Sequence, residues 1–121
     1  MAPMAIASQN PATGETLRTF EAHSSAEIQD AITLAHETFQ TWRLTSFAER
    51  AVLMHRAAEV LDEDTDAIAL IMTQEMGKTL RSARAEVAKC VKGMRWYADN
   101  AELLLADEPV DATAVGAAQA Y

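Results

Sequence analysis

The chain has 121 residues, enough for one small domain that buries roughly two thirds of the surface its unfolded form would expose. Eighteen acidic residues against ten basic ones leave a net charge of −8, which repels phosphate backbones and anionic bilayers and argues against nucleic acid and membrane as partners. A single cysteine excludes an internal disulfide, residues 1–8 lack the basic start and apolar run of a signal peptide, and no stretch nears the roughly 18 apolar residues of a membrane span, so a reducing, cytoplasmic setting is expected.

Half of the residues are hydrophobic but only 6% are aromatic, and alanine dominates, which suits close helix packing better than a large sheet core. Residues 1–22 predict a β-hairpin. Its arms are Ile6 to Gln9 and Thr16 to Phe20, and Asn-Pro-Ala-Thr-Gly between them supplies a proline that presets φ and a glycine that accepts a positive φ. Residues 24–106 predict a helical region. Ser24 stands three residues before Glu27, the spacing of a capping box, and Ile28, Ala31, Ile32, Ala35 and Phe39 follow at helical intervals, giving a first helix over 25–40.

The same start signal recurs at Ser46 and Glu49, followed by an apolar stripe through Phe47, Leu53, Met54, Ala57, Val60 and Leu61. The acidic cluster Asp62-Glu63-Asp64 with Asp66 favours the positive end of a third helix, in which Ile68, Ile71 and Met72 repeat. Gly77 is expected to stop that helix as a left-handed cap, and Thr79 to start a fourth that runs to about Leu105. At about 1.5 Å per residue this last helix would be some ~40 Å long, with Leu80, Ala83, Val87, Val91, Met94, Ala98, Ala101 and Leu105 along one side. Residues 107–121 carry neither a helical stripe nor a strand alternation and read as an extended tail. The expected fold is therefore mainly α, with a short N-terminal hairpin, four helices and the longest of them last.

Asn10-Pro11-Ala12-Thr13-Gly14-Glu15, the segment from Ala35 to Trp42 and Arg43, Ala48-Glu49-Arg50, Glu75-Met76-Gly77-Lys78 and Arg95-Trp96-Tyr97-Ala98 occur in that order. Each mark is weak alone, but at these spacings the series resembles the N-terminal part of the α/β nucleotide-binding domain of the aldehyde dehydrogenase superfamily. Glu75 to Leu80, Lys89 to Gly93 and Ala106 to Pro109 most resemble its bacterial succinate-semialdehyde dehydrogenase branch. The resemblance implies oxidation of an aldehyde to a carboxylic acid, with hydride passing to NAD or NADP. A cysteine thiolate, an oxyanion hole and a water-activating glutamate do that work in the family.

The family's catalytic and cofactor-binding motifs lie downstream of the region matched, including a Pro-Trp-Asn-Phe-Pro segment that this chain lacks. The expectation is accordingly a fragment that holds no catalytic and no cofactor-binding residue, binds no dinucleotide alone, and has the rest of the polypeptide, or a second copy of itself, as its partner. A non-catalytic helical interaction module or remnant is the alternative reading. Some members of the family hold a monovalent cation near their opening segment, and the matching positions here are the Gln9 carbonyl and the Glu75 carboxylate, two oxygens of an incomplete site.

Other candidates read as structural. Cys90 lies between Lys89 and Val91 without the Gly-Gln-x-Cys context of the family nucleophile, and is expected to be a buried small hydrophobe. His23, His36 and His55 have no metal-ligand spacing. Gly77-Lys78-Thr79 lacks the upstream glycine of a phosphate-binding loop, since Met72 occupies that place. Met54, Met72, Met76 and Met94 are expected to fill the core, and Trp42 and Trp96 to pack on it. The run from Asp62 to Asp66 has no central glycine for a calcium loop.

Overall fold

The computed structural model describes residues 6–110 and 118–120. In chain order it contains β1 (Ile6–Gln9), β2 (Thr16–Phe20), α1 (Ser25–Trp42), α2 (Phe47–Glu63), α3 (Thr65–Met76), α4 (Leu80–Leu104), β3 (Glu108–Val110) and β4 (Ala118–Ala120). Among the described residues, no helix is long and apolar enough to cross a membrane.

β1 and β2 form the expected antiparallel hairpin, pairing Ile6 with Phe20, Ala7 with Thr19 and Ser8 with Arg18. The register shifts between Ser8 and Gln9, so that Gln9 faces Thr16. The turn closes through Asn10, whose N–H donates to the Glu15 carbonyl at 2.8 Å and whose carbonyl accepts from the Gly14 N–H at 2.8 Å. Its side-chain oxygen accepts from the Ala12 N–H at 2.9 Å, and Gly14 takes φ +74°, where an L side chain would be strained.

The helix starts follow the local chemistry. Ser24 Oγ accepts from the Glu27 N–H at 3.2 Å while Glu27 Oε2 accepts from the Ser24 N–H at 2.7 Å. Ser46 and Glu49 repeat the exchange at the head of α2, with the same two distances. Each box satisfies donors that the first turn of a helix leaves without partners. Gly77 ends α3 at φ 68°, ψ 16°, its N–H donating to the Thr73 carbonyl. Thr79 then caps α4 by accepting from the Ser82 N–H. At the third start Asp66 stands in the first turn, as the acidic cluster implied, but Asp64 makes no side-chain cap bond.

α4 is the axis against which α2 and α3 pack. Ala58 of α2 and Val87 and Val91 of α4 make the core, with Leu61, Ile68, Met72 and Met94 packed around them. Ala58, Ala69 and Ala83 are wholly buried, so methyl-sized side chains stand where the helices approach most closely. Three polar contacts brace the same packing: a hydrogen bond of His55 Nε2 with Asp99 at 2.9 Å, and ion pairs of Arg95 with Asp62 at 3.0 Å and Arg84 with Asp66 at 2.7 Å.

Burial departs from the sequence expectations at several points. Cys90 is exposed, not buried, because it lies one residue, about 100° of helix turn, from Val91 on the packed side of α4. Met72 and Met94 pack on the core, but Met54 and Met76 are exposed, as are Trp42 and Trp96. α1 buries none of its residues, and the stripe through Ile28, Ile32 and Phe39 stands open. The apolar side of α4 likewise continues past its neighbours to an exposed Leu105.

Two stretches of the expected tail are paired strands. Glu108 pairs with Ala120, Pro109 with Gln119 and Val110 with Ala118, so these two stretches form a second antiparallel ladder. Strands of three residues are too short to display an alternation in sequence. Residues 111–117, also within the expected tail, lie outside the described residues.

Candidate functional site

Residues 67 positions apart meet where the hairpin touches the end of α3. Ser8 sits at the shift in the β1 register, and Glu75 lies in the last turn of α3, two residues before its cap at Gly77. Ser8 Oγ donates to Glu75 Oε1 at 2.5 Å. Together with Ala7, Gln9 and Phe20 these two residues line an open groove. Gln9 and Glu75, the two positions singled out in the sequence, therefore border the same space.

The groove is held by contacts beneath it. Gln9 Nε2 donates to the Gly14 carbonyl at 2.7 Å, which ties that side chain to the hairpin turn. Pro11, at the hairpin turn, lies so close to Gly77 that a Cβ placed there would come within 3.1 Å of the proline Cγ. The absence of a side chain at Gly77 thus serves two ends, a left-handed cap and a close approach of the hairpin. Periodicity and cap chemistry revealed only the first.

Chemically, the groove is an acceptor site. Each carboxylate oxygen offers two lone-pair positions, so the bond from Ser8 does not exhaust Glu75. Among the described residues, no group of three or more His, Cys, Asp or Glu side chains could hold a metal ion. Ser8 was not singled out in the sequence, and nothing local marks it, because its partner is supplied by tertiary structure.

The remaining candidates are dispersed. His36 is bonded to Gln40 within α1, His55 to Asp99 across α2 and α4, and His23 borders a shallow groove on α1. Lys78 forms an ion pair with Glu86 of α4, which ties the lysine of Gly77-Lys78-Thr79 to the helix that follows. Cys90 lies on the open side of α4, away from the hairpin groove lined by Ala7, Ser8, Gln9, Phe20 and Glu75.

The model of the family described as "Aldehyde dehydrogenase family" matches residues 2–119. The chain is 54% identical over 118 residues to succinate-semialdehyde dehydrogenase [NADP(+)] 1 of Mycobacterium tuberculosis, covering 98% of this chain and 26% of that protein. It is 56% identical over 119 residues to succinate-semialdehyde dehydrogenase [NADP(+)] of Mycobacterium avium, covering 98% and 25%. Among solved structures, succinic semialdehyde dehydrogenase from Streptococcus pyogenes in complex with NADP+ superposes with a TM-score of 0.86 at 33% identity, covering 95% of this chain and 25% of that one. The chain thus spans about a quarter of the length of the curated relatives it matches. With the family pattern extending from residue 2 to residue 119 and the fold superposing on a member, the chain belongs to the aldehyde dehydrogenase family.

Proposed function

We propose that this chain is the opening segment of an NADP(+)-dependent succinate-semialdehyde dehydrogenase and serves it as scaffold, not as a source of reacting groups. The observation that carries this reading is the 54–56% identity to mycobacterial enzymes of that name along 98% of the chain. In the whole enzyme, succinate semialdehyde would be oxidised to succinate while hydride passes to the nicotinamide. The part of this chain would be to hold neighbouring elements in register through the exposed faces of α1 and α4. The lone cysteine supports a reducing, cytoplasmic compartment for it.

Within the same proposal, the Gln9 carbonyl and the Glu75 carboxylate supply two oxygens to a monovalent cation, and other parts of the polypeptide supply the rest. Support comes from the groove that both residues border. A carboxylate and a carbonyl are the hard oxygen donors such an ion prefers.

A chimera tests the function. The matching segment of the Mycobacterium avium enzyme is replaced by this chain, and reduction of NADP+ by succinate semialdehyde is followed by absorbance. The chimera is expected to turn over within about tenfold of its parent, a difference near 1.4 kcal/mol in the barrier, and the isolated chain not at all. A chimera that folds and assembles but is inactive would refute the scaffold role. Turnover by the purified chain that disappears in Cys90→Ser would do the same from the other side.

A further inference from the structure

We propose that Arg50 is a latch that sets the direction of α1 against the layer formed by α2, α3 and α4. α1 buries none of its residues, so packing along its length does not aim it. It also ends without a left-handed residue: Arg43, at its C-cap, stays in the right-handed region at φ −59°, and no basic residue occupies the last turn. The terminal carbonyls of α1 are met from the following turn, the Leu44 N–H donating to the Thr41 carbonyl and the Thr45 N–H to the Trp42 carbonyl at 3.1 Å each, and not by a glycine cap or a cation of its own last turn.

Arg50, in the first turn of α2, reaches back to add a charged donor to this end. Its Nη2 donates to the Trp42 carbonyl at 3.3 Å and to the Arg43 carbonyl at 3.2 Å, and its Nε donates to Thr45 Oγ1 at 2.8 Å. Thr45 Oγ1 in turn donates to the Trp42 carbonyl at 2.7 Å, closing a ring around the elbow. The guanidinium also lies over the rings of Trp42, on α1, and Phe47, on α2, at 5.7 Å and 5.9 Å from their centroids. One side chain thus joins the end of the first helix, the connecting turn and the start of the second.

The arrangement needs the planar fork of arginine. Three bonds in fixed directions, made by a cation that also lies over two rings, cannot be reproduced by the point charge of lysine. The positive group also sits at the negative end of α1, where the helix dipole favours it. The competing restraint is the hairpin, which continues into α1 at its other end and is docked on α3 through Ser8 and Glu75. If that tether aimed α1, the latch would be dispensable.

The experiment measures the angle. Cys90 is the single cysteine and is exposed, so a spin label there pairs with a second at Asp30→Cys, an exposed position on α1. Distances are read by pulsed electron resonance in the full chain, diluted with unlabelled chain so that only intramolecular pairs contribute. With Arg50 in place, one narrow distance is expected. In Arg50→Lys and Arg50→Met, the narrow peak should be lost to a broad distribution while circular dichroism and the melting of α2 to α4 stay near those of the parent. A native, narrow distance in both variants would overturn the proposal and assign the aim of α1 to the hairpin. Unfolding of the α2–α4 layer in both variants would also overturn it, since a latch at the elbow does not hold that layer together.

Discussion

Gly77 shows how one position can serve two constraints. At φ +68° a β-branched residue is strained, by about 1–2 kcal/mol, whereas asparagine tolerates the left-handed region better. Any Cβ there would also press on Pro11 at 3.1 Å. Gly77→Val should therefore lower the denaturant midpoint more than Gly77→Asn, and part of the cost of the asparagine should vanish when Pro11→Ala removes the ring. Equal midpoints for valine and asparagine would show that the backbone at position 77 can leave the left-handed region without loss.

The two capping boxes make a pH prediction at the same scale. Glu27 is held below its ordinary value of 4.5 by the Ser24 backbone N–H and then by the Ser24 hydroxyl, and Glu49 is held there likewise by Ser46. A carboxylate whose folded value is depressed stabilises the fold in its charged form. That contribution is complete above about 4.5 and is lost as pH falls through the lower folded value. Helicity of the parent should thus decline on acidification through this window, and the decline should be shallower in a Glu27→Gln, Glu49→Gln variant. Identical profiles would mean that other carboxylates govern the acid limb.

At the scale of elements, the close contact of α2, α3 and α4 depends on a few small side chains. Val87 and Val91 are each 3% exposed and Ala58, Ala69 and Ala83 are 0% exposed, so the core is narrow and admits little adjustment. Truncating Val87 or Val91 to alanine should cost about 1.5–3 kcal/mol, from two buried methyl groups plus the cavity they leave. Enlarging Ala58 to leucine should cost about 1–3 kcal/mol through overpacking. Denaturant melts of the three variants check this. The polar contacts along α4 should matter much less, since His55–Asp99, Asp62–Arg95 and Asp66–Arg84 all lie in solvent-accessible positions.

For the whole molecule, surface area is the decisive quantity. The chain exposes 10093 Å², whereas a compact protein of its 13.2 kDa mass exposes about 6,400 Å². The excess, about 3,700 Å², is several times the roughly 800 Å² that one partner buries in an ordinary interface. Ile32 at 59%, Phe39 at 53% and Leu103 at 77% exposure show that much of it is apolar side chain. The isolated chain should therefore bind a hydrophobic dye and associate with itself as its concentration rises, which sedimentation velocity would reveal. A monomer with a sharp, concentration-independent melt would show that the chain is sufficient to itself and would favour an independent module.

Much of this fold was legible in the sequence because the deciding interactions are local. Ser24 with Glu27, Ser46 with Glu49, Thr79 with Ser82 and the stop at Gly77 each involve groups within four residues of one another, so spacing marked where α1, α2 and α4 begin and where α3 ends. The ordered marks from Asn10 to Ala98 carried the resemblance to the family, which the match over residues 2–119 then showed. Tertiary structure decided which apolar faces are covered: Met72 and Met94 pack while Met54, Met76 and Cys90 do not, because a helical stripe names a side without naming its neighbour. It also decided the pairing of Ser8 with Glu75, the approach of Pro11 to Gly77, the reach of Arg50 across the elbow and the ladder between β3 and β4. Each of these joins groups whose spacing no helical or strand period encodes, and only packing brings them together.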